Sequence, residues 1–169
     1  LVTLLKEHTW IDLQWVDKDD GPGTKLLGAL HFLSMHWDCL RGSDVLMTVD
    51  DDHAYLPFAL QELLQEQLRR GPTSCCTYFA YFARGLMVPQ CADLIAYQID
   101  STFVKDFLRY HRTFVADDHD AFLVDDLWIA MFMRLCGRSV VSLRDLILRR
   151  GLSMCPNCTP TWMRLLLKK

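Results

Sequence analysis

An apolar run that ends in consecutive carboxylates constrains the fold of this chain most. Residues 45–49 are mainly apolar and β-branched, Gly42 and Ser43 precede them, and Pro57 follows. This pattern predicts a fully buried strand of a covered sheet. Ligands of open α/β sheets bind just beyond the carboxyl ends of the strands. Residues 50–52, all Asp, fall at that position.

The three carboxylates predict a divalent-metal site. Asp50, Asp51 and Asp52 repel one another, and a bound cation relieves that repulsion. Carboxylate oxygens suit Mg²⁺ or Mn²⁺, which proteins often hold with few side chains and the phosphates of a substrate. The strand end is therefore a candidate metal-diphosphate site. The alternative is a turn and N-cap leading into the helix that the sequence predicts over 57–70.

A Gly-rich loop is the second candidate site. Residues 16–25 (VDKDDGPGTK) have the composition of a loop, and a helix is predicted over 24–36. A loop that runs into a helix start presents backbone N–H groups and the positive end of the helix dipole. Gly21, Thr24 and Lys25 are thus candidates for holding a diphosphate. The alternative for Lys25 is a solvated helix position.

A second acidic pair opens another predicted helix. Asp125 and Asp126 precede an apolar segment that ends at Gly137. Their charges face the positive end of the helix dipole, which favours the ionised form. A plain N-cap is the alternative interpretation.

The remaining segments predict a single α/β domain over 1–169. Strands are expected at 11–15, 75–82 and 139–143, a strand or a strand-like loop at 94–99, and a further helix at 102–110. Their alternation with helices predicts a central mixed, mostly parallel sheet flanked by helices. In the helix over 57–70 the residues expected to face the sheet are Phe58, Leu60, Leu63, Leu64 and Leu68.

Composition excludes several classes of partner. The net charge is −3 and no basic stripe interleaves with aromatic residues, so nucleic acid is not an expected partner. No apolar run approaches the ~20 residues of a membrane span. Seven cysteines, an odd number, favour reduced thiols and a cytoplasmic location, with the secretory-pathway lumen or membrane association as alternatives. Cys155 and Cys158 form a lone C-x-x-C with no second ligand pair.

Three segments resemble motifs of family-2-like glycosyltransferases with the GT-A fold. Residues 17–26 (DKDDGPGTKL) are similar to their D-x-G-P-A-T-K-L loop, with Gly23 in place of the usual Ala, a change expected to be mild. Residues 48–57 (TVDDDHAYLP) resemble their strand-end D-x-D motif. Residues 124–130 (VDDLWIA) are similar to their acceptor-side D-D-x-x-I-A/S motif. The order along the chain also matches, over about residues 17–141.

The resemblance implies a metal-dependent, inverting glycosyltransferase. It would move a sugar from a nucleotide-diphosphate donor to a hydroxyl of a glycan, lipid or protein acceptor. Asp52 would bind Mn²⁺ or Mg²⁺, Asp50 the metal or the ribose, and Asp51 would lie between them, with Lys25 near the diphosphate. Asp126 would be the general base and Asp125 its support. The types of these residues fit the reaction. It needs charge stabilisation on the leaving group and a separate carboxylate that takes the proton of the acceptor hydroxyl.

Two alternatives remain beside this interpretation. The first strand of the family is expected before Leu1, which indicates a domain truncated at its amino terminus. A degenerate, non-catalytic binding module is therefore one alternative. The other is a phosphatase of the haloacid-dehalogenase type, with Asp50 as nucleophile and Asp52 as acid/base. Ala54 counts against it, because that motif usually has Thr or Val there.

Overall fold

A computed structural model describes residues 14–50, 55, 58–90, 94–118, 120–121 and 124–144, except for the side chain of Cys39. This part of the chain is an α/β structure. Its α-helices are α1 (Thr24–Ser34), α2 (Ala59–Arg70), α3 (Ser101–Phe114) and α4 (Asp125–Leu135). Its strands are β1 (Val45–Thr48), β2 (Ser74–Thr77), β3 (Ala80–Ala83), β4 (Leu86–Pro89), β5 (Ile95–Gln98) and β6 (Ser139–Ser142). No helix within these ranges is long and apolar enough to cross a membrane.

Four strands form the main sheet in the order β1-β5-β2-β6. β5 is antiparallel to both β1 and β2, whereas β2 and β6 are parallel. The sheet is mixed, as predicted, and β1, β2 and β6 all run in one direction. The prediction of mostly parallel pairing is wrong for the described strands, because β5 runs the opposite way and lies between two of the others.

Helices cover both faces of this sheet. Cys75, Ile95 and Tyr97 pack with the apolar faces of α1, α3 and α4 on one side. Cys76 and Ala96, the alternate residues of the same strands, pack with Ala59 and Leu63 of α2 on the other side. This alternation follows from the two-residue period of a strand. Asp100 caps α3, since its carboxylate accepts a hydrogen bond from the Phe103 N–H at 2.7 Å.

A β-hairpin follows β2. β3 and β4 pair antiparallel and are joined by Arg84 and Gly85, which both have positive φ angles, +48° and +82°. Two left-handed residues in a two-residue loop are typical of a hairpin whose turn matches the strand twist. The sequence predicted one strand over 75–82, but the structure divides it at Tyr78 and Phe79 into β2 and β3.

Three further expectations need correction. The strand over 45–49 is only partly buried, because β1 pairs with β5 alone among the described strands. α2 buries Ala59, Leu63 and Gln67 and exposes Leu60 and Leu68, so its inner face is rotated from the predicted one. Residues 14–15, the described end of the predicted strand over 11–15, have no regular structure. Cys155 and Cys158 lie outside the described residues.

Candidate functional site

The carboxyl ends of three strands meet at one edge of the main sheet. β1, β2 and β6 run in the same direction, so Asp50, two residues past β1, lies at the edge where β2 also ends. β1 and β2 are two strand spacings apart, about 10 Å. The β3–β4 hairpin leaves the sheet from the end of β2. Asp50 therefore lies at the same end of the sheet as the segment that enters the hairpin.

Asp50 forms an ion pair with Lys25. The Lys25 ammonium, one residue into α1, donates to Asp50 Oδ1, and both side chains are partly buried. The Asp50 backbone N–H donates to the Tyr55 hydroxyl oxygen at 2.8 Å, and that hydroxyl donates to the Asp50 carbonyl oxygen at 3.3 Å. The sequence predicted Asp50 and Lys25 as site residues, and the structure places them in contact across 25 positions of sequence.

The Asp50 carboxylate is not the cap of the next helix. The N-cap residue of α2 is Phe58, which lies eight positions after Asp50. The alternative in which the acidic cluster serves as an ordinary helix cap is therefore wrong for Asp50. Asp51 and Asp52 lie outside the described residues, and their assignment to the metal or the ribose stays a prediction.

Local hydrogen bonds shape the Gly-rich loop before α1. Asp19 Oδ1 accepts from the Gly21 N–H at 2.9 Å and from the Thr24 hydroxyl at 3.0 Å. The Asp20 N–H donates to Thr24 Oγ1 at 2.7 Å. Gly21 has a φ of +67°, a conformation that favours glycine. Gly21 and Thr24 thus hold the loop in shape, and their contact with a diphosphate stays a prediction.

Gly23 joins this loop to the second acidic motif. A Cβ atom built on Gly23 would lie 2.6 Å from Cζ2 of Trp128 and 3.5 Å from Cβ of Asp125. The indole and the first turn of α4 therefore pack directly against the Gly23 backbone. The expectation that Gly for Ala is a mild change here is wrong, because Trp128 occupies the space of the methyl group.

Asp125 and Asp126 have different surroundings in the first turn of α4. Asp125 is buried beside the Gly-rich loop, whereas Asp126 is partly exposed. The Tyr81 hydroxyl donates to Asp126 Oδ2 at 3.0 Å, and the Leu127 N–H donates to Asp126 Oδ1 at 3.0 Å. The N-cap of α4 is Val124, and no side chain caps the helix there, so neither Asp is a plain N-cap.

The structure thus brings together segments that are distant in sequence. Residues 23–25 contact Asp50 on one side, through Lys25, and pack against Trp128 of α4 on the other, through Gly23. Tyr81 is a site residue that the sequence analysis did not identify. Its signal was weak, because Gly85 marks a turn but Arg84-Gly85 is not one of the residue pairs that predict a two-residue hairpin.

The described residues alone do not complete a metal site. Among them, no group of three or more His, Cys, Asp or Glu side chains is placed to hold a metal ion. Of the three carboxylates predicted at the strand end, only that of Asp50 lies within the described residues, and the Lys25 ammonium contacts it. Carboxylate oxygens are the donor type that Mg²⁺ and Mn²⁺ prefer, and the Lys25 ammonium occupies Oδ1 of Asp50.

Comparisons with protein families, with curated proteins and with solved structures gave no match to this chain.

Proposed function

We propose that this chain is a GT-A-like, metal-dependent glycosyltransferase domain. It transfers a sugar from a nucleotide-diphosphate donor to an acceptor hydroxyl with inversion at the anomeric carbon. The observation that carries the proposal is the position of residues 23–25 between the two acidic motifs: Lys25 pairs with Asp50, and the Gly23 backbone packs against Trp128 of α4, the helix that begins with Asp125. A transfer reaction needs one charged group at the leaving diphosphate and another at the attacking hydroxyl, and this segment links the two.

The donor side comprises Asp50, Lys25 and the start of α1. The Lys25 ammonium is a cation at the start of α1, the type of group that binds diphosphate oxygens, and it lies beside the Asp50 carboxylate. Asp50 and Asp52 are the residues that would hold Mn²⁺ or Mg²⁺. When bound, such an ion supplies Lewis-acid stabilisation of the departing diphosphate. The positive end of α1 adds to the attraction for phosphate.

The acceptor side comprises Asp126, with Asp125 and Tyr81 as its supports. Asp126 is partly exposed, so an acceptor hydroxyl can reach its carboxylate and pass it a proton. Tyr81 holds one carboxylate oxygen at 3.0 Å, which fixes the orientation of the group. Asp125 is buried against the loop and keeps the first turn of α4 in place. Inversion follows if the base lies across the sugar from the diphosphate.

Two matched variants test this division of roles. With Mn²⁺ and a panel of radiolabelled nucleotide sugars, Asp126→Asn should retain donor binding and lose acceptor-dependent transfer. Asp50→Asn should lose both, because it removes a carboxylate from the donor side. Asp38→Asn, a change at an exposed position outside both motifs, is the control and should behave as the wild type. Equal transfer by Asp126→Asn and wild type would overturn the assignment of the base.

The same preparation separates the two alternatives. Metal-dependent hydrolysis of p-nitrophenyl phosphate, with no use of nucleotide sugars, would favour the phosphatase, in which Asp50 is the nucleophile. Donor binding without transfer to any acceptor, in wild type as well as in Asp126→Asn, would favour the non-catalytic module. The anomeric configuration of the product, read by proton NMR, tests inversion.

A further inference from the structure

A basic cavity lies between α1 and α3, lined by residues that the proposed function does not use. Its volume is about 430 Å³. The charged and titratable side chains that line it are Lys18, Asp20, His31, Lys105, Arg109, His111 and Arg112. Three of its four cationic side chains belong to α3, at positions i, i+4 and i+7, so they share one exposed face of the helix.

Positive charge dominates this cavity. Among the described residues that line it, Asp20 is the one carboxylate, and it pairs with Lys18 at 2.7 Å; Asp117 and Asp118 line an adjoining cavity that shares Lys18 and Asp20 with it. The Arg109 guanidinium pairs with Asp106 at 2.7 Å. The Lys105 ammonium lies 5.0 Å from the centre of the Trp37 ring, and this contact does not cancel the charge of Lys105. The chain as a whole carries a net charge of −3, so this concentration of cations is local. Such a cavity attracts anions.

Large apolar side chains are exposed directly beside the basic cavity. A neighbouring cavity of about 310 Å³ shares Lys18, Asp20 and His31 with it, and is also lined by Trp15 and Met35. The Trp15 side chain is 83% exposed and Met35 is 72% exposed. Large apolar groups are costly to leave in water, and together they suggest an interaction surface.

We propose that this face, comprising Trp15, Lys18, Met35, Lys105, Arg109 and Arg112, binds the surface of an anionic lipid bilayer. The cations would contact lipid phosphates and carboxylates, and Trp15 and Met35 would enter the headgroup region, where amphipathic and apolar side chains are stable. A free phosphate would use the cations but not the two apolar groups. An RNA strand needs cations along an extended track, whereas these converge on one cavity.

Co-sedimentation of the full chain with vesicles tests the proposal. Phosphatidylcholine vesicles with about one third phosphatidylserine should bind the protein, and pure phosphatidylcholine vesicles should not. The variant Lys105→Gln/Arg109→Gln/Arg112→Gln should bind roughly 100-fold more weakly, since each basic residue near the surface contributes about fivefold. Trp15→Ser should also weaken binding, in keeping with the loss of an apolar group.

The control has the same change in charge elsewhere on the molecule. Arg69→Gln/Arg70→Gln/Arg134→Gln removes three exposed cations of α2 and α4 and should bind vesicles as the wild type does. All changed side chains are exposed, and melting temperatures would verify that each variant is folded. Equal loss of binding in both triple variants would overturn the assignment to this face. Absence of vesicle binding by the wild type, with binding of inorganic phosphate or of an RNA oligonucleotide instead, would overturn the lipid assignment.

Discussion

Replacement of Gly23 with Ala tests the contact that joins the two acidic motifs. The new Cβ would lie 2.6 Å and 3.0 Å from Cζ2 and Cη2 of Trp128, closer than carbon atoms approach without a shift. The indole is only 4% exposed and packs against Phe107 and His111, with ring centroids 5.8 Å and 5.5 Å away, so a shift into the cavity of about 300 Å³ that it lines would disturb this packing. The φ angle of Gly23 is −72°, which alanine adopts without strain, so the steric contact dominates the expected effect.

The size of the effect follows from overpacking. Extra methyl groups forced into a packed region typically cost about 1–3 kcal/mol, and we expect about 2 kcal/mol here. For a chain of this length that corresponds to a fall in melting temperature of about 4–8 °C. Urea denaturation followed by circular dichroism would give the free energy of unfolding. Transfer activity should fall as well, since the shift of Trp128 displaces the turn that carries Asp125.

Two further variants make this prediction refutable. Gly42→Ala is the matched control, because nothing lies within 4 Å of a Cβ there, and its effect should stay within about 0.5 kcal/mol. Trp128→Phe removes the ring atoms that would clash with the new Cβ. Gly23→Ala should therefore destabilise the Trp128→Phe variant less than it destabilises the wild type, by about 1 kcal/mol or more. If Gly23→Ala is no more destabilising than Gly42→Ala, the close contact between the loop and α4 is refuted.

Three other predictions concern Gln67, His111 and Tyr81. Gln67 is fully buried and bonds the Gly71 and Ser74 carbonyls and the Cys76 N–H, each at 3.0 Å, so Gln67→Leu should lower the free energy of unfolding by about 3 kcal/mol. Gln65→Leu is the exposed control, and equal urea midpoints would contradict the expectation. Burial, with smaller contributions from Lys18 and His31, lowers the pKa of His111 below 6.5 against the opposing charge of Asp20. The unfolded chain therefore binds the proton more readily than the folded chain, so protonation favours unfolding. The contribution of His111 to the free energy of unfolding is complete above pH 6.5 and is lost as the pH falls below that value. In His111→Gln the corresponding part of the pH dependence should vanish, and an unchanged curve of unfolding free energy against pH would refute it. Tyr81→Phe should lower kcat for sugar transfer about tenfold, because its hydroxyl holds Asp126, while the Kd for the donor stays the same. A change in donor Kd with unaltered kcat would contradict that role.

Local patterns predicted most of the regular structure. The 3.6-residue period of apolar side chains in α1, α3 and α4 is strong enough to set each helix within a few residues, and the apolar run before Asp50 gives β1. The aromatic run over 75–82 has no internal break signal, so the division of β2 from β3 could not be located. Tertiary contacts decide it, since the Tyr78 carbonyl accepts from the Ser142 hydroxyl of β6 at 3.0 Å.

The rotation of α2 also depends on contacts between distant residues. Hydropathy assigns Leu60 and Leu68 to the core and Gln67 to the surface, but the structure reverses this. The Gln67 side chain satisfies backbone groups at the start of β2, a demand that becomes visible only when helix and strand are placed together. In the candidate site, the acids and Lys25 could be predicted from their types, whereas the Tyr81 contact needed the hairpin.

Thermal stabilisation by nucleotide sugars tests the central claim most directly. A ligand that binds only the native state at about 100 times its Kd adds roughly 2.7 kcal/mol to the free energy of unfolding. For this chain length that is a rise of about 5–11 °C in melting temperature. We predict that at least one nucleotide-diphosphate sugar gives such a rise only with Mn²⁺ or Mg²⁺, in the wild type and in Asp126→Asn but not in Asp50→Asn. A panel with no shift, or an equal shift in Asp50→Asn, would contradict the proposed donor site.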